Sequence, residues 1–249
     1  ELKEATDVSF TRDGLEIVFI AGGVVCVLDA NHREPRQLTN TPEEEHDVLF
    51  AADGKSIVYV SDQGGQSDIW SLKRKDDSLY WWQNTEVEET QLTNDPEEEY
   101  SLDWSPKGTW LSFVRARGDL WIMKPDGSDA KRLRESWNSP QYDWSPDEQW
   151  IVFAGSDADF NRDVFIMSVE RPELVENISL HPDNEYTPRW SPNGKRIAFT
   201  GRRIGEEVDI YYVNLQAVDD ELTPRDRKLQ SALDLLNKAR SKSVSSSAS

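Results

Sequence analysis

The chain contains very few of the residues that build catalytic and metal sites. It has one cysteine, three histidines and two methionines among 249 residues. A single cysteine excludes an intrachain disulfide, and Cys26, which lies between two valines, is expected to be a small core residue. With so few cysteines and histidines, a closed zinc site of the Cys/His type is not expected.

Long hydrophobic runs and catalytic signatures are also missing from the sequence. No stretch approaches the ~18 consecutive apolar residues of a membrane-spanning helix, and the chain opens Glu-Leu-Lys-Glu without a signal-peptide pattern. It contains no G-x-S-x-G, H-E-x-x-H or P-loop motif. The histidines, His32, His46 and His181, fall in predicted loops with no nucleophile nearby in sequence. We therefore expect neither a catalytic site nor a cofactor in this chain.

Charge is strongly one-sided. The net charge is −19, and residues 225–249 carry six basic and two acidic side chains, so the rest of the chain carries −23. Nucleic acids and anionic membranes would be repelled by such a surface. Basic peptides and cations would be attracted, although a purely solubilising acidic surface has the same composition.

A five-fold repeat is the most informative feature that is present. An aromatic residue precedes a tight turn and then a short apolar strand. The copies begin at Phe10, Phe50, Trp104, Trp144 and Trp190, separated by 40, 54, 40 and 46 residues. Periods of about 40–50 residues are typical of propeller blades with four strands each. The sequence therefore predicts an all-β fold, a β-propeller of four-stranded blades, followed by a C-terminal helix.

The repeat also predicts the domain organisation. We expect the propeller over 1–224, with blades near 1–40, 41–94, 95–135, 136–181 and 182–224. In four copies an aspartate opens the third strand, and a fourth strand follows, the last one at Leu222-Thr223. Beyond Pro224, leucines and alanines at helical spacing predict an amphipathic helix, and 225–249 ends in a Ser-rich tail or linker.

Ten tryptophans are an unusual number for this length. Three of them stand at the start of a repeat, and Trp70 and Trp121 lie in predicted third strands. We expect these five to pack between blades, not to stack on a ligand. Tyr80-Trp81-Trp82 lies in an insertion at 73–90 that lengthens the second blade; it either caps the blade edge or docks another domain.

The loops that join one blade to the next are the first candidate binding site. Two of them carry the run Pro-Glu-Glu-Glu, and the loops of a propeller lie around one mouth of its central channel. The candidate residues are Glu43, Glu44, Glu45, Glu97, Glu98 and Glu99. Such carboxylates would attract positively charged or amino-terminal groups, although solvated turns have a similar composition.

A second candidate is a calcium loop with the spacing D-x-D-x-N-x-D. Its ligands would be Asp157, Asp159, Asn161 and Asp163. The pattern departs from an EF-hand because Arg162 stands where glycine is expected and Ser168 where the twelfth-position glutamate is expected. Aspartate and asparagine are also ordinary residues of a hairpin turn.

Three stretches resemble the first propeller of bacterial tricorn-like proteases: 80–86, 159–163 and 188–200. The segment 205–212 and the charged helix after it match as well, so the resemblance covers nearly the whole chain. The W-S-P-x-G repeat itself is WD40-like (PD40) and is equally similar to TolB and to the propellers of prolyl-oligopeptidase-type enzymes. The insertion and the helical exit favour the tricorn-like family.

The resemblance implies a role in a larger protein. Tricorn-like enzymes have two propellers, a PDZ domain and a serine peptidase domain, and their propellers gate or channel peptides. No catalytic residue of the family has a counterpart here, so the expected function is a non-catalytic gating module of a serine peptidase. Its partners would be peptides, other proteins and the remaining peptidase domains. The alternative is a stand-alone TolB-like interaction propeller of the periplasm.

The resemblance also implies a six-bladed ring, whereas five copies are visible. A missing blade would leave apolar faces exposed and favour association, including homo-oligomers. A periplasmic or secreted location is expected in preference to the cytoplasm.

Overall fold

The structure is a computed structural model that describes residues 5–156, 161–203, 207–216, 223 and parts of 225–237. Its regular elements are almost all strands. They are β1 Thr6–Phe10, β2 Glu16–Ala21, β3 Val24–Asp29, β4 Arg36–Gln37, β5 Glu45–Phe50, β6 Ser56–Ser61, β7 Asp68–Arg74, β8 Val87–Gln91, β9 Glu99–Trp104, β10 Leu111–Arg115, β11 Asp119–Met123, β12 Lys131–Arg134, β13 Gln141–Trp144, β14 Trp150–Ser156, β15 Arg162–Ser168, β16 Val175–Asn177, β17 Glu185–Trp190, β18 Arg196–Gly201 and β19 Asp209–Asn214.

Within each sheet, every strand pairs antiparallel with the next one along the chain. Four sheets have four strands, β1–β4, β5–β8, β9–β12 and β13–β16, and the fifth has the three strands β17–β19. This arrangement confirms the predicted all-β propeller with repeats of one blade each. Of the fourth strand expected at Leu222-Thr223, Leu222 lies outside the described residues, and Thr223 is not in a strand. Helical residues occur within 225–237.

The turn after four of the five aromatic anchors has the glycine backbone that the sequence predicts, and after Trp144 the residue Glu148 takes the same conformation with φ 67°. Gly14, Gly54, Gly108 and Gly194 have φ between 68° and 73°, the left-handed region that glycine adopts without strain. Gly108 is also required by space, because a Cβ there would lie 2.6 Å from Cβ of Ala52 in the preceding blade. These turns bring successive blades into close contact.

Hydrophobic side chains fill the space between neighbouring blades. Three of the aromatic anchors pack against the preceding blade: Phe50 against the first blade, Trp104 against the second and Trp144 against the third. Trp190 packs in the same way against the fourth blade, and Trp70 and Trp121 join these inter-blade clusters. The predicted packing role of the tryptophans is confirmed, and Cys26 is buried with a free thiol.

The insertion in the second blade closes the outer edge of the first junction. Trp81, in a short 3-10 helix Trp81–Gln83, is fully buried in the cluster between the first two blades. Its backbone N–H donates to Glu16 Oε1 at 2.7 Å, and its indole N–H donates to the Gly54 carbonyl at 2.9 Å. Of the two predicted roles, edge capping is therefore the one that Trp81 performs.

The first and fifth blades each present an apolar face to solvent. Phe10, the first anchor, is 57% exposed, whereas the equivalent Phe50 is 4% exposed. On β19, Ile210 and Tyr212 point away from the fourth blade and are 77% and 53% exposed. The surfaces that would contact a further blade are thus open in the described part of the chain.

Candidate functional site

The loops that join consecutive blades all lie at one end of the propeller, which we call the loop face. Because the strands alternate in direction, the turn between the second and third strands of each blade lies there too. The backbone confirms this placement: Glu45 N–H donates to the Gly23 carbonyl at 3.0 Å, and Glu99 N–H donates to the Ser67 carbonyl at 2.9 Å. The predicted acidic residues therefore share one end of the molecule.

Two of the six predicted glutamates point into the protein. Glu45 is 1% exposed. Its carboxylate accepts hydrogen bonds from Val25 N–H at 2.7 Å, from the Thr41 hydroxyl at 2.8 Å and from the Thr39 hydroxyl. Burial raises the pKa of Glu45, and the hydrogen bonds from Thr39, Thr41 and Val25 oppose that change. This side chain joins the first blade to the second.

Glu99 has the same role at the next junction and is fully buried. It accepts a hydrogen bond from the Thr93 hydroxyl of the second blade. It also accepts two from Arg115, whose Nε and Nη2 lie 2.9 Å and 2.6 Å from Oε1. Burial raises its pKa, and the hydrogen bonds from Thr93 and Arg115 oppose that change. Glu185 in the fifth blade is likewise fully buried and pairs with Arg203, but its second oxygen, Oε2, accepts no hydrogen bond among the described residues.

The other four predicted glutamates remain accessible. Glu44, Glu97 and Glu98 are exposed, and Glu43 is half-buried. They lie on the loop face at the first and second junctions, next to the buried Glu45 and Glu99. Sequence spacing alone did not separate the third glutamate of each run, which belongs to the following strand, from the two before it.

The aspartate at the start of the third strand forms hydrogen bonds that hold the inter-blade loop in place. Asp68 accepts hydrogen bonds from the Gln91 side chain and from the backbone N–H of Asp95, four residues further on. Asp119 makes the equivalent pair of bonds with Arg132 and with Ser136 N–H. The side chain thus fixes the fourth strand and the start of the inter-blade loop.

Asp163, one of the predicted calcium ligands, occupies this structural position. It is buried and accepts hydrogen bonds from Asn177 and Ser179. Asp157 and Asp159 lie outside the described residues, and Asn161 is described just before β15. In the described ranges, no group of three or more acidic, histidine or cysteine side chains is arranged for a metal ion.

The innermost strands show a feature that the sequence analysis missed. Asp7, Asp47, Ser101 and Thr187, each three residues before an anchor, have φ between 49° and 59° and form a bulge. The bulge aims backbone N–H groups at the preceding blade: Ser101 N–H donates to Asp47 Oδ2 at 2.7 Å, and Asp47 N–H donates to Asp7 Oδ2 at 3.1 Å. In the sequence, the only signal of this bulge is its fixed position three residues before the aromatic anchor.

These innermost strands carry several acidic side chains, and β17 adds one cation, Arg189, near Asp103. His46 lies 3.1 Å from Asp47, which raises the pKa of the imidazole by accepting its hydrogen bond. Desolvation by the surrounding protein raises the pKa of Asp103, and the nearby charge of Arg189 opposes that change. Asp143 accepts a hydrogen bond from Trp190 N–H at 2.7 Å. The site as a whole favours cations and provides hydrogen-bond acceptors.

The comparisons with known proteins place the chain among propellers. No protein-family model matches it. An uncharacterised protein of Agrobacterium fabrum is 27% identical over 192 residues, 70% of this chain and 60% of that protein. YuxL, an uncharacterised peptidase of Bacillus subtilis, is 26% identical over 226 residues, 72% of this chain and 31% of the peptidase. The chain thus spans less than two thirds of either relative.

Solved structures agree on the fold. The tricorn protease superposes with a TM-score of 0.67 and 11% identity, over 89% of this chain and 23% of that one. A putative TolB from Agrobacterium tumefaciens gives 0.56 and 19% identity, over 85% of this chain and 77% of that one. The resemblance to tricorn-like and TolB-like propellers is confirmed for the fold. No helix among the described residues is long and apolar enough to cross a membrane.

Proposed function

We propose that this chain is a non-catalytic propeller module of a peptidase, which attracts and channels peptides through its acidic loop face. The observation that supports this proposal is the position of four accessible glutamates, Glu43, Glu44, Glu97 and Glu98, on the loop face. The nearby innermost strands add the carboxylates of Asp7 and Asp47. Peptides with a free amino terminus or basic side chains match this field.

The comparisons support this proposal in two ways. YuxL is a peptidase by name, and this chain covers only 31% of it, so a further part of that protein lies outside the match. The tricorn protease, with the TM-score of 0.67, is likewise much longer than the region that superposes. Both observations are consistent with a propeller that serves an active site elsewhere in a larger protein.

The test is a binding titration with a short peptide that contains lysine and arginine and has a free amino terminus. The variant carries Glu43→Gln, Glu44→Gln, Glu97→Gln and Glu98→Gln, which removes four charges from the loop face. We expect its dissociation constant to be at least ~10-fold weaker than that of the wild type, with a smaller dependence on salt.

A matched control removes four charges from the opposite end of the propeller, where the turns between third and fourth strands lie. It carries Glu34→Gln, Asp129→Asn, Glu170→Gln and Glu173→Gln, all at exposed positions. This variant should bind like the wild type. Equal weakening in both variants would show that only net charge matters and would contradict the gating proposal.

A second candidate is a stand-alone protein-interaction propeller of the TolB type, in the periplasm or secreted. It is favoured by the putative TolB structure, of which this chain covers 77%, a larger share than of the tricorn protease. Under this alternative, folded protein partners would bind the loop face and short basic peptides would not. The same titration with the peptide therefore separates the two candidates.

A further inference from the structure

The junction between the third and fourth blades lacks the buried carboxylate that the other three junctions contain. Glu45, Glu99 and Glu185 lie opposite Ser61, Arg115 and Gly201 in the strand register. The fourth blade has no bulge residue in its first strand, so its pairing runs without interruption from Trp144 to Gln141. The next position, in register with those glutamates, is Pro140, opposite Gly155.

The partner of the missing glutamate has also changed. Thr39 and Thr93 donate to Glu45 and Glu99. Each lies two residues after the fourth-strand residue, Gln37 or Gln91, that pairs with the third residue of the third strand. In the third blade that position is Arg134, two residues after Arg132. A basic side chain thus replaces a hydroxyl at the place where the acidic group is absent.

A cavity of about 210 Å³ occupies this junction on the loop face. Arg134 and Arg162 line it from the two blades, together with Pro140 and Gly155. Glu135 also lines it, and its carboxylate pairs with Arg132 at 3.5 Å. Gly155 leaves room for the guanidinium, because a Cβ there would lie 2.9 Å from Arg134 Nη2. Between the third and fourth blades, then, two cations border an open space.

Both arginines are held by aromatic rings in place of acidic partners. The Arg134 guanidinium carbon lies 4.4 Å from the ring centre of Phe153, and that of Arg162 lies 5.2 Å from the ring centre of Tyr186. Arg162 Nε is buried and donates to no acceptor among the residues that the structure describes. Within the described ranges neither side chain has a carboxylate within ion-pair distance. Burial lowers the pKa of Arg134, and the nearby charge of Arg162 lowers it further.

We propose that the cavity between Arg134 and Arg162 is a binding site for a carboxylate supplied by an external ligand. The ligand group takes the place that a glutamate side chain of the chain itself fills at the other junctions. Guanidinium groups bind carboxylates through short, charge-assisted hydrogen bonds, and the buried Nε of Arg162 gains the acceptor it lacks. Trp137, 75% exposed, lines the same cavity and offers an apolar surface to the rest of the ligand.

Two probes distinguish the source of the carboxylate. One is the capped tripeptide acetyl-Ala-Glu-Ala-amide, with acetyl-Ala-Gln-Ala-amide as its neutral counterpart; the other is propanoate. Calorimetric titration of the wild-type chain should detect the glutamate peptide and not the glutamine peptide. Binding of propanoate as well would show that a small acid suffices, and binding of the peptide alone would show that a peptide or protein carries the group.

The variants Arg134→Gln and Arg162→Gln should each weaken binding roughly tenfold or more. Arg171→Gln, at an exposed position on the opposite end, removes the same charge and should leave binding unchanged. Equal affinity in all three variants, or no binding by the wild type, would overturn the proposal.

A second variant tests the site by filling it, so that a folding defect in the arginine variants does not decide the outcome. Pro140→Glu restores the carboxylate of the repeat and should abolish binding while raising the thermal midpoint. Pro140→Gln has a similar shape without the charge and should still bind. A well-folded Pro140→Glu protein that binds the glutamate peptide like the wild type would contradict the assignment.

Discussion

Arg115 binds one oxygen of Glu99 through two nitrogens, Nε at 2.9 Å and Nη2 at 2.6 Å, and Glu99 is fully buried. The same carboxylate accepts the hydroxyl hydrogen of Thr93 from the preceding blade. One acidic side chain therefore connects two blades and a basic group of its own blade. The inter-blade contact is polar at the loop face and hydrophobic below it.

Replacing Arg115 tests the strength of this connection. Arg115→Ala leaves Glu99 buried without its cation, and breaking a buried pair in this way costs about 3–5 kcal/mol of unfolding free energy. Urea unfolding followed by tryptophan fluorescence gives the value. Arg117→Ala, an exposed neighbour, should change it by less than about 0.5 kcal/mol. Similar losses in the two variants would count against a structural role for the pair.

The raised pKa of Glu45 predicts how the free energy of unfolding changes with pH. Its pKa is raised above the ordinary value of 4.5, so the folded protein holds this proton more tightly than the unfolded chain. The stabilisation from protonation is complete below about pH 4.5 and is lost as the pH rises through the raised pKa. Glu45→Gln should therefore lose less stability than the wild type as the pH rises above about 4.5.

The control for this measurement is Glu44→Gln, which removes an exposed charge from the adjacent position. Its stability should follow the wild-type pH profile. Unfolding free energies at a series of pH values give all three curves. If the curve of Glu45→Gln has the wild-type slope, the buried carboxyl does not contribute in the manner described.

Trp81 should contribute strongly to stability although it lies in an insertion. Trp81→Ala creates a large cavity between the first two blades and removes the indole donor of the Gly54 carbonyl, at a cost of about 3–5 kcal/mol. Trp137→Ala, at a position 75% exposed, should cost less than about 1 kcal/mol. A small effect of Trp81→Ala on the denaturation midpoint would show that the insertion does not belong to the core.

The open apolar faces predict self-association of the isolated chain. Ile210→Glu places a charge on the exposed face of β19, and sedimentation velocity should show a smaller average mass than for the wild type at the same concentration. Leu180 is also 77% exposed but lies in an inter-blade loop, so Leu180→Glu is the matched control. A wild type that is monomeric at all concentrations would contradict this expectation.

The fold could be predicted from the sequence because the repeat has a strong local cause. Aromatic anchors such as Trp104, a turn with Gly108 and an apolar strand recur with little variation, and each blade pairs only consecutive strands. The packing of the aromatic anchors between blades could be predicted from the same repeat. The bulge at Asp47 could not be predicted from local propensity, because the preceding blade supplies the acceptor that stabilises it.

The candidate site could be predicted only in part. The run of three glutamates is uniform in sequence, yet the third one begins a strand and turns inward to Thr39 or Thr93. That difference arises from contacts between blades and has no signal in the composition of the loop. The arginine cavity was missed for the same reason, because Arg134 and Arg162 are brought together by two different blades.

The most direct test of the peptide-channelling account is chemical-shift mapping of the isotope-labelled chain during titration with a basic peptide. We expect the shifts to concentrate at residues 40–46 and 94–100 on the loop face, and on the innermost strands around Asp47. Residues of the opposite turns, such as Gly54 and Gly127, should remain unchanged. Shifts confined to those opposite turns, or no shifts at all, would contradict the proposed function.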